Sequence, residues 1–217
     1  MSQHSKTLAI LAFGVAIAVS GLALTQQVIA VAGDMDAERL NRAILEYIAL
    51  KNPLAPISAF RGFPETLVAE SQISNIDHCL ALAQAEVESE FKHDAVGAAG
   101  EIGLFQILPT TAAIFEPTVG PFRRPQLVRG KRDLGDLANP LVSTRFAMAY
   151  LRDIMGRRTT IRETLTEYNG GPGGRHLHYY RAVMGAYVEV LEHPELRCRY
   201  RETPKPQPAA LMIMYRT

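Results

Sequence analysis

One glutamate near the end of a predicted helix has the surroundings that acid–base chemistry requires. Apolar residues recur every three or four positions from Ile76 onward and predict a helix from about Ser74 or Asn75 to Phe91. Glu88 lies at the border of its apolar face, near the C-terminal end, where burial and the helix dipole both disfavour a negative charge. Its pKa should therefore be raised, so that the side chain can hold and deliver a proton near neutral pH. A glutamate in a helix is more often a solvated charge, and only its context separates the two interpretations.

Three short motifs stand in a fixed order along the chain. They are Glu88-Ser89 at the end of that helix, Gly103-Leu104-Phe105-Gln106 followed by Pro109, and Tyr168-Asn169-Gly170 followed by Gly171-Pro172-Gly173. In order and spacing they resemble the catalytic domain of the soluble lytic transglycosylases, the SLT family, a helical relative of goose-type lysozyme. The resemblance spans roughly Ile76 to Leu191, a little over half of the chain.

The resemblance implies an all-α, lysozyme-like helical domain with a groove, in which Glu88 is the single catalytic acid/base. It implies cleavage of the β-1,4 bond between N-acetylmuramic acid and N-acetylglucosamine in peptidoglycan, with a 1,6-anhydro product in place of a hydrolysed one. Glu88 would protonate the leaving oxygen and then act as a base on the C6 hydroxyl, while the substrate's 2-acetamido group stabilises C1. No cofactor and no metal are expected.

The same resemblance implies four substrate-binding residues, which are Ser89, Gln106, Tyr168 and Asn169. Three of them have a structural alternative: Tyr168 as a core aromatic, Asn169 as a helix cap and Gln106 as the maker of a structural hydrogen bond. The glycines of the motifs are expected to permit turns and a close approach of the sugar.

Several residues depart from the family pattern. Lys92-His93 replaces the usual Asn-Pro, Phe105 replaces Met, Glu101 stands where a small residue is common, and Glu167 replaces the Ala before Tyr-Asn. Glu167 is expected either to be solvated or to reach the groove. A hydrolysing muramidase on the same fold is one alternative function, with Glu101, Glu167 or Asp94 as its second carboxylate. A non-catalytic envelope-assembly protein that binds peptidoglycan is the other.

The N-terminus has the pattern of an export signal. Lys6 precedes an uncharged apolar run over residues 8–24, and Ala30 and Ala32 complete a small-residue site, which predicts cleavage after Ala32. The alternative is an uncleaved membrane anchor. Either way the protein is expected in the periplasm or cell envelope, with peptidoglycan strands as its partner. An envelope-spanning secretion, conjugation or pilus apparatus would suit a short enzyme that opens the wall locally.

Composition narrows the function classes and the domain plan. The chain has 23 Lys and Arg against 22 Asp and Glu residues, and this balance argues against a nucleic-acid partner. Four parts are expected: a signal or anchor over 1–32, an N-terminal helical extension over 33–70, the catalytic domain over 71–193 and an unpacked Pro-rich basic tail over 194–217. Further helices are predicted from Asp34 or Asp36 to Leu50, Gly103 to Phe115, Asn139-Pro140 to Met155, Thr160 to Tyr168 and His178 to Leu191.

Three features stand outside the motifs. Residues 117–132 carry five cations and no acid, and are interpreted as an exposed basic loop that either holds the protein on the anionic wall or only solubilises it. The pairing of Cys79 with Cys198 is open, with unpaired cysteines favoured. His176 and His178 form an H-x-H pattern without a third ligand nearby, so no zinc site is predicted there. The five cations of residues 117–132 are Arg123, Arg124, Arg129, Lys131 and Arg132.

Overall fold

A computed structural model describes residues 33–128 and 130–199 of the chain. The predicted signal or anchor and the tail from residue 200 onward lie outside the described residues. Helix α1 covers residues 33–51, and the compact unit treated below starts within it, at Asn41. The other helices and strands are α2 (Phe63–Ser74), α3 (His78–Ser89), α4 (Pro109–Val119), β1 (Gln126–Val128), β2 (Lys131–Asp133), α5 (Pro140–Arg157), α6 (Ile161–Gly170) and α7 (Leu177–Leu191).

The described part of the chain is mainly helical, as predicted. Its strands β1 and β2 form one short antiparallel hairpin, in which Gln126 pairs with Asp133. Short 3-10 turns lie between α1 and α2 at Ile57–Phe60, between β2 and α5 at Gly135–Ala138, and after α7 at Pro194–Leu196. Within the described ranges, no helix has the length and apolar character that crossing a membrane would require.

Helix α3 is the central element, because it packs most extensively against α7 and also contacts α2. It begins after Asp77, whose side chain accepts a hydrogen bond from the Cys79 N–H, and it ends at Glu90 in the left-handed conformation. The predicted helix over 74–91 was therefore too long at both ends. The apolar pattern crosses the real boundary because Asn75, also left-handed, ends α2 only two residues before α3 is capped.

Helix α2 was not predicted. It follows Gly62, which adopts φ 77°, and its first turn contains Pro64, where a missing N–H costs nothing. Phe63 and Leu67 are fully buried, and α2 packs mainly against α5. The domain boundary drawn at residue 70 falls inside this helix, so part of the proposed extension lies in the helical core.

The predicted start signals of α5 and α6 are confirmed. The Asn139 side chain accepts from the Leu141 N–H, with Pro140 in the first turn. Thr160 and Glu163 form a reciprocal capping box. The Asn139 cap fixes where α5 begins, and the Thr160 cap fixes where the α5–α6 connection ends and α6, which carries Tyr168 and Asn169, begins.

The segment over 117–132 differs from the predicted loop. Helix α4 runs on to Val119, and the hairpin begins at Gln126. Arg123 pairs with Asp133 and Asp136, and Arg124 pairs with Glu116. The acids lie just outside the segment, so counting charges within it overstated its positive character.

The start of the tail packs, contrary to the prediction. Cys79 and Cys198 form a disulfide, so the expectation of unpaired cysteines was wrong. Leu196 is buried, and its carbonyl lies 2.7 Å from Nε2 of His78. The 3-10 turn over Pro194–Leu196 brings the chain back onto the first turn of α3, which the proline-rich composition could not indicate.

Candidate active site

Glu88 lies in the last turn of α3 and lines a cavity of about 570 Å³. The cavity walls come from the loop over 97–107, from α4 and α5, and from the end of α6 with its glycine-rich turn. Three of the predicted substrate-binding residues, Gln106, Tyr168 and Asn169, line the same cavity. The three sequence motifs, far apart in the chain, therefore meet at one site.

The surroundings of Glu88 raise its pKa to about 7, as expected in direction from its place on the helix. Burial is the largest cause, because a carboxylate loses hydration in the half-closed cavity. A hydrogen bond from the Tyr179 hydroxyl, at 2.5 Å from Oε1, opposes it, and the negative charge of Glu101 adds to it. A carboxyl group with this pKa holds a proton for part of the time at neutral pH and can also act as a base.

Tyr179 is a site residue that the sequence analysis missed. It lies in the first turn of α7, is buried, and its pKa is raised well above 10 by burial and by the Glu88 charge. It therefore stays a neutral hydroxyl donor at physiological pH. Its type and helix were visible in the sequence, but its partner depends on the packing of α3 against α7.

Gln106 has a strained position that its side chain helps to hold. Its φ is 46°, and its Nε2 donates to the carbonyls of Ala95, at 3.2 Å, and Gly103, at 2.9 Å. Both hydrogen bonds use the amide nitrogen and leave Oε1 above Gly97. A Cβ added at Gly97 would lie 2.8 Å from this oxygen. Gly97 therefore permits Gln106 and the neighbouring Glu101 carboxylate to lie over the loop.

Tyr168 and Asn169 both line the cavity while making structural contacts. The Tyr168 hydroxyl donates to the Phe105 carbonyl at 2.9 Å, and its ring packs 5.2 Å from the ring of Tyr150. Oδ1 of Asn169 lies 2.9 Å from Nδ1 of His176. Tyr168 thus offers its ring to a ligand, and Asn169 keeps its amide N–H groups.

Ser89 lies behind the cavity and does not line it. It is buried, and its hydroxyl lies 3.0 Å from the Ala85 carbonyl and 2.9 Å from that of Leu104. These contacts tie the last turn of α3 to the loop over 97–107. Ser89 is therefore placed to hold Glu88 and Gln106 in register.

Of the three candidates for a second carboxylate, one lines the cavity with Glu88 and two do not. Glu167 is buried and ion-paired with Arg157 and Arg158, so the expectation that it is solvated or reaches the groove was wrong. Tyr168 faces the cavity, whereas its neighbour Glu167 faces the C-terminal end of α5. Asp94 is exposed and is not among the lining residues. Glu101 lines the cavity with Glu88.

The histidines of the H-x-H pattern are surface residues of the turn before α7 and of its first turn. In the described ranges, the cluster of potential metal ligands is Asp77, His78 and Cys79, and the Cys79 sulfur is held in the disulfide. Neither place offers a set of free ligands of the kind that zinc requires.

Comparison with known proteins identifies the domain. A sequence profile described as "Transglycosylase SLT domain" matches residues 65–182, more than half of the chain. Among solved structures, the lytic transglycosylase Slt of Pseudomonas aeruginosa, in an inactive variant, is 24% identical at a TM-score of 0.49 over 61% of this chain and 24% of that one. The 70 kDa soluble lytic transglycosylase SLT70 of Escherichia coli is 21% identical at a TM-score of 0.44 over 71% of this chain and 27% of that one.

This chain therefore spans about a quarter of the length of both solved proteins. A search of curated proteins found no match. The profile match covers all three motifs and begins in α2, within the first turn of that helix. The chain belongs to the transglycosylase SLT domain family.

Proposed function

We propose that this protein is a peptidoglycan lytic transglycosylase that cleaves the β-1,4 bond between N-acetylmuramic acid and N-acetylglucosamine and leaves a 1,6-anhydro end. The observation that carries the proposal is the state of Glu88, a carboxyl group in a cavity with a pKa of about 7 and a tyrosine hydroxyl on Oε1. Family membership supports the class of reaction, glycan cleavage by a lyase.

The reaction follows from the two protonation states of Glu88. The protonated carboxyl gives its proton to the glycosidic oxygen, and the bond from C1 to that oxygen breaks while the 2-acetamido oxygen of the muramic acid stabilises C1. The Glu88 carboxylate, now stabilised by the Tyr179 hydroxyl, takes the proton of the C6 hydroxyl, whose oxygen bonds to C1. No water is consumed, and Glu88 ends protonated for the next cycle.

The neighbouring residues are assigned by the atoms that they leave free. Gln106 offers its Oε1 and Asn169 its amide N–H groups to the sugar hydroxyls and acetamido groups, and Tyr168 offers an apolar ring face. Ser89 acts indirectly, since its hydroxyl is held by backbone carbonyls behind the cavity. Its part is to position Glu88.

A hydrolysing muramidase is the second candidate, and one observation favours it. Glu101 lines the same cavity, and its charge raises the pKa of Glu88, so the two carboxylates interact. A water activated by Glu101 in place of the C6 hydroxyl would leave a reducing end. Glu101, and not Glu167, is therefore the first residue to mutate for this alternative.

Product analysis separates the two candidates. Purified residues 33–217 are incubated with murein sacculi, and the released fragments are weighed by mass spectrometry. We expect fragments that end in 1,6-anhydromuramic acid, lighter by one water than muramidase products. Reducing ends in most fragments, lost in Glu101→Gln, would establish the hydrolase instead.

Glu88→Gln is the matched control for either reaction. The amide is isosteric but has no transferable proton, so we expect no release of fragments with sacculus binding retained. Its unfolding midpoint at alkaline pH should equal or exceed that of the unmodified protein, because it removes a partly buried carboxylate. Substantial release by this variant would rule out Glu88 as the acid.

The cellular setting is part of the proposal. Export to the periplasm or cell envelope rests on the sequence of residues 1–32. Action beside a secretion, conjugation or pilus apparatus is proposed because the domain over residues 65–182 would open the wall locally for such a machine.

A further inference from the structure

A second cavity, of about 470 Å³, lies against the glycine-rich turn that closes the catalytic cavity. Neighbouring residues in the chain are divided between the two cavities at three places, so one thin wall separates them. In each pair the first residue lines the catalytic cavity and the second lines this one: Arg157 with Arg158, Tyr168 with Glu167, and Pro172 with Gly173. We call the second space the arginine cavity, after its lining residues Arg158, Arg162 and Arg175.

The carboxylates of the arginine cavity are already engaged by the fold. Glu163 accepts hydrogen bonds from the backbone and hydroxyl groups of Thr159 and Thr160. Glu167 is held between Arg157 and Arg158. Neither acid forms an ion pair with Arg162 or Arg175 in the described part of the chain.

Two guanidinium groups of the cavity remain without an acidic partner. Arg162, in the first turn of α6, and Arg175, in the turn before α7, are exposed. Neither forms an ion pair with any residue in the part of the chain that the structure describes. A guanidinium group binds a carboxylate through two parallel hydrogen bonds, so the cavity is suited to a carboxylate ligand.

We propose that the arginine cavity binds a carboxylate of the acidic peptide that the glycan substrate carries. The inference rests on the proposed function and extends it from the glycan strand to its peptide branch. The branch starts at the muramic acid, the sugar that reacts beside Glu88, and an extended peptide advances about 3.3 Å per residue. A carboxylate in the first few residues of the branch can therefore reach the far side of the wall formed by Tyr168 and Pro172.

An acidic segment of a partner protein is the competing ligand. The position of the cavity favours the substrate, because its wall is made by the same glycine-rich turn and by residues of α6 adjacent to those that close the catalytic site. Occupation of the cavity would then hold the turn over Gly171–Gly174 and the muramic acid together, whereas a protein ligand would gain nothing from this shared wall.

The test measures binding apart from turnover, in a Glu88→Gln background. Fluorescently labelled glycan fragments are prepared naked, with the peptide branch, and with a branch whose carboxylates are amidated. We expect the fragment with the free acidic branch to bind roughly fivefold more tightly than the naked one, the amidated fragment to bind like the naked one, and added salt to reduce the difference.

The variant Arg162→Gln with Arg175→Gln should bring the ratio of the two dissociation constants to about one. The matched control is Arg42→Gln with Arg61→Gln, which removes the same charge from α1 and from the turn before α2, away from the cavity lining. It should keep the preference for the peptide-bearing fragment.

Each outcome bears on one proposal only. An unchanged ratio in the Arg162/Arg175 variant, or no preference in the parent protein, overturns the peptide site. Displacement of the branch by an unrelated acidic peptide without any glycan dependence would assign the cavity to a protein ligand and also overturns it. Failure of the Glu88-containing protein to cleave any strand refutes the proposed function, whatever the binding ratio.

Discussion

Two neighbours act on the proton of Glu88 in opposite directions. Tyr179 donates to Oε1 and stabilises the carboxylate, whereas the Glu101 charge disfavours it. Burial exceeds both and places the pKa at about 7. In the proposed reaction, Glu88 is thus balanced between the acid that breaks the glycosidic bond and the base that activates the C6 hydroxyl.

This balance predicts opposite shifts of the pH profile in two variants. Because Glu88 must be protonated to act first, kcat/KM should fall as the pH rises through its pKa, about 7. Tyr179→Phe removes a bond that lowers this pKa, so the alkaline limb should move to higher pH. Glu101→Gln removes a charge that raises it, so the limb should move to lower pH.

The profile is measured as initial rates of fragment release from sacculi across the pH range. Arg42→Gln, a change of charge on α1 away from the cavity, should leave the limb in place. Shifts of both variants in one direction would show that Glu88 does not supply the titrating proton.

Local chemistry at the residue scale could be predicted when it depended on one helix. The raised pKa of Glu88 follows from its position on α3, which the apolar pattern gives directly. Tyr179 could not be assigned, because its contact requires the packing of α3 against α7. Glu167 was misplaced for a similar reason, since the side on which α6 meets the arginines of α5 is a property of the helix pair.

The connection between α5 and α6 is built on a buried acid with two partly exposed cations. Only 2% of the Glu167 side chain is exposed, against 41% for Arg157 and 36% for Arg158. Removing the cations leaves a buried charge without a partner, whereas removing the acid leaves cations that can turn to water.

The double variant Arg157→Gln with Arg158→Gln should therefore be destabilised more than Glu167→Gln. At neutral pH, urea unfolding should show a loss of unfolding free energy of about 3–5 kcal/mol for the double variant and about 1 kcal/mol for Glu167→Gln. The gap should narrow at acidic pH, where protonation neutralises the unpaired Glu167. A larger loss in Glu167→Gln would show that the arginines depend on the acid and not the reverse.

Helices α1 and α2 contribute to the core that supports α3. Ile44, Tyr47 and Ile48 of α1 and Phe63 and Leu67 of α2 are buried. The Tyr47 hydroxyl also donates to Glu86 at 2.6 Å, two residues before Glu88. The predicted division at residue 70 would cut through this core.

A fragment over 71–217 should therefore lack a cooperative thermal transition, whereas 33–217 should show one by circular dichroism. Full burial of each large apolar side chain contributes about 1.5–3 kcal/mol, and five such losses are comparable with the whole stability of a domain, about 5–15 kcal/mol. Cooperative unfolding of the shorter fragment would establish that residues 33–70 are a separate extension.

At the scale of the whole molecule, helix positions were more predictable than helix partners. The caps at Asn139 and Thr160 are local hydrogen-bond patterns, and the structure confirms both. Helix α2 was missed because it begins after Gly62, whose left-handed conformation is not evident from the sequence. The burial of its apolar residues depends on packing against α5, which is also not evident from the sequence. The disulfide could not be predicted for the same reason, because its two cysteines come together only when the chain returns to α3 after α7.

The disulfide between Cys79 and Cys198 should stabilise α3 and α7, the pair of helices that carry Glu88 and Tyr179. It joins the first turn of α3 to the chain just after α7, across a sequence separation of 119 residues, so it removes much of the freedom of the unfolded chain. We expect reduction to lower the free energy of unfolding by about 2–4 kcal/mol, measured by urea unfolding with and without reductant. The variant Cys79→Ala with Cys198→Ala should be equally destabilised and insensitive to reductant.

The alkaline limb of the pH profile of activity should stay in place in this variant, because Glu88 and Tyr179 meet at the opposite end of α3. Equal stability with and without reductant, together with two free thiols found by alkylation and mass spectrometry, would show that the bridge does not form and that packing alone holds α3 against α7.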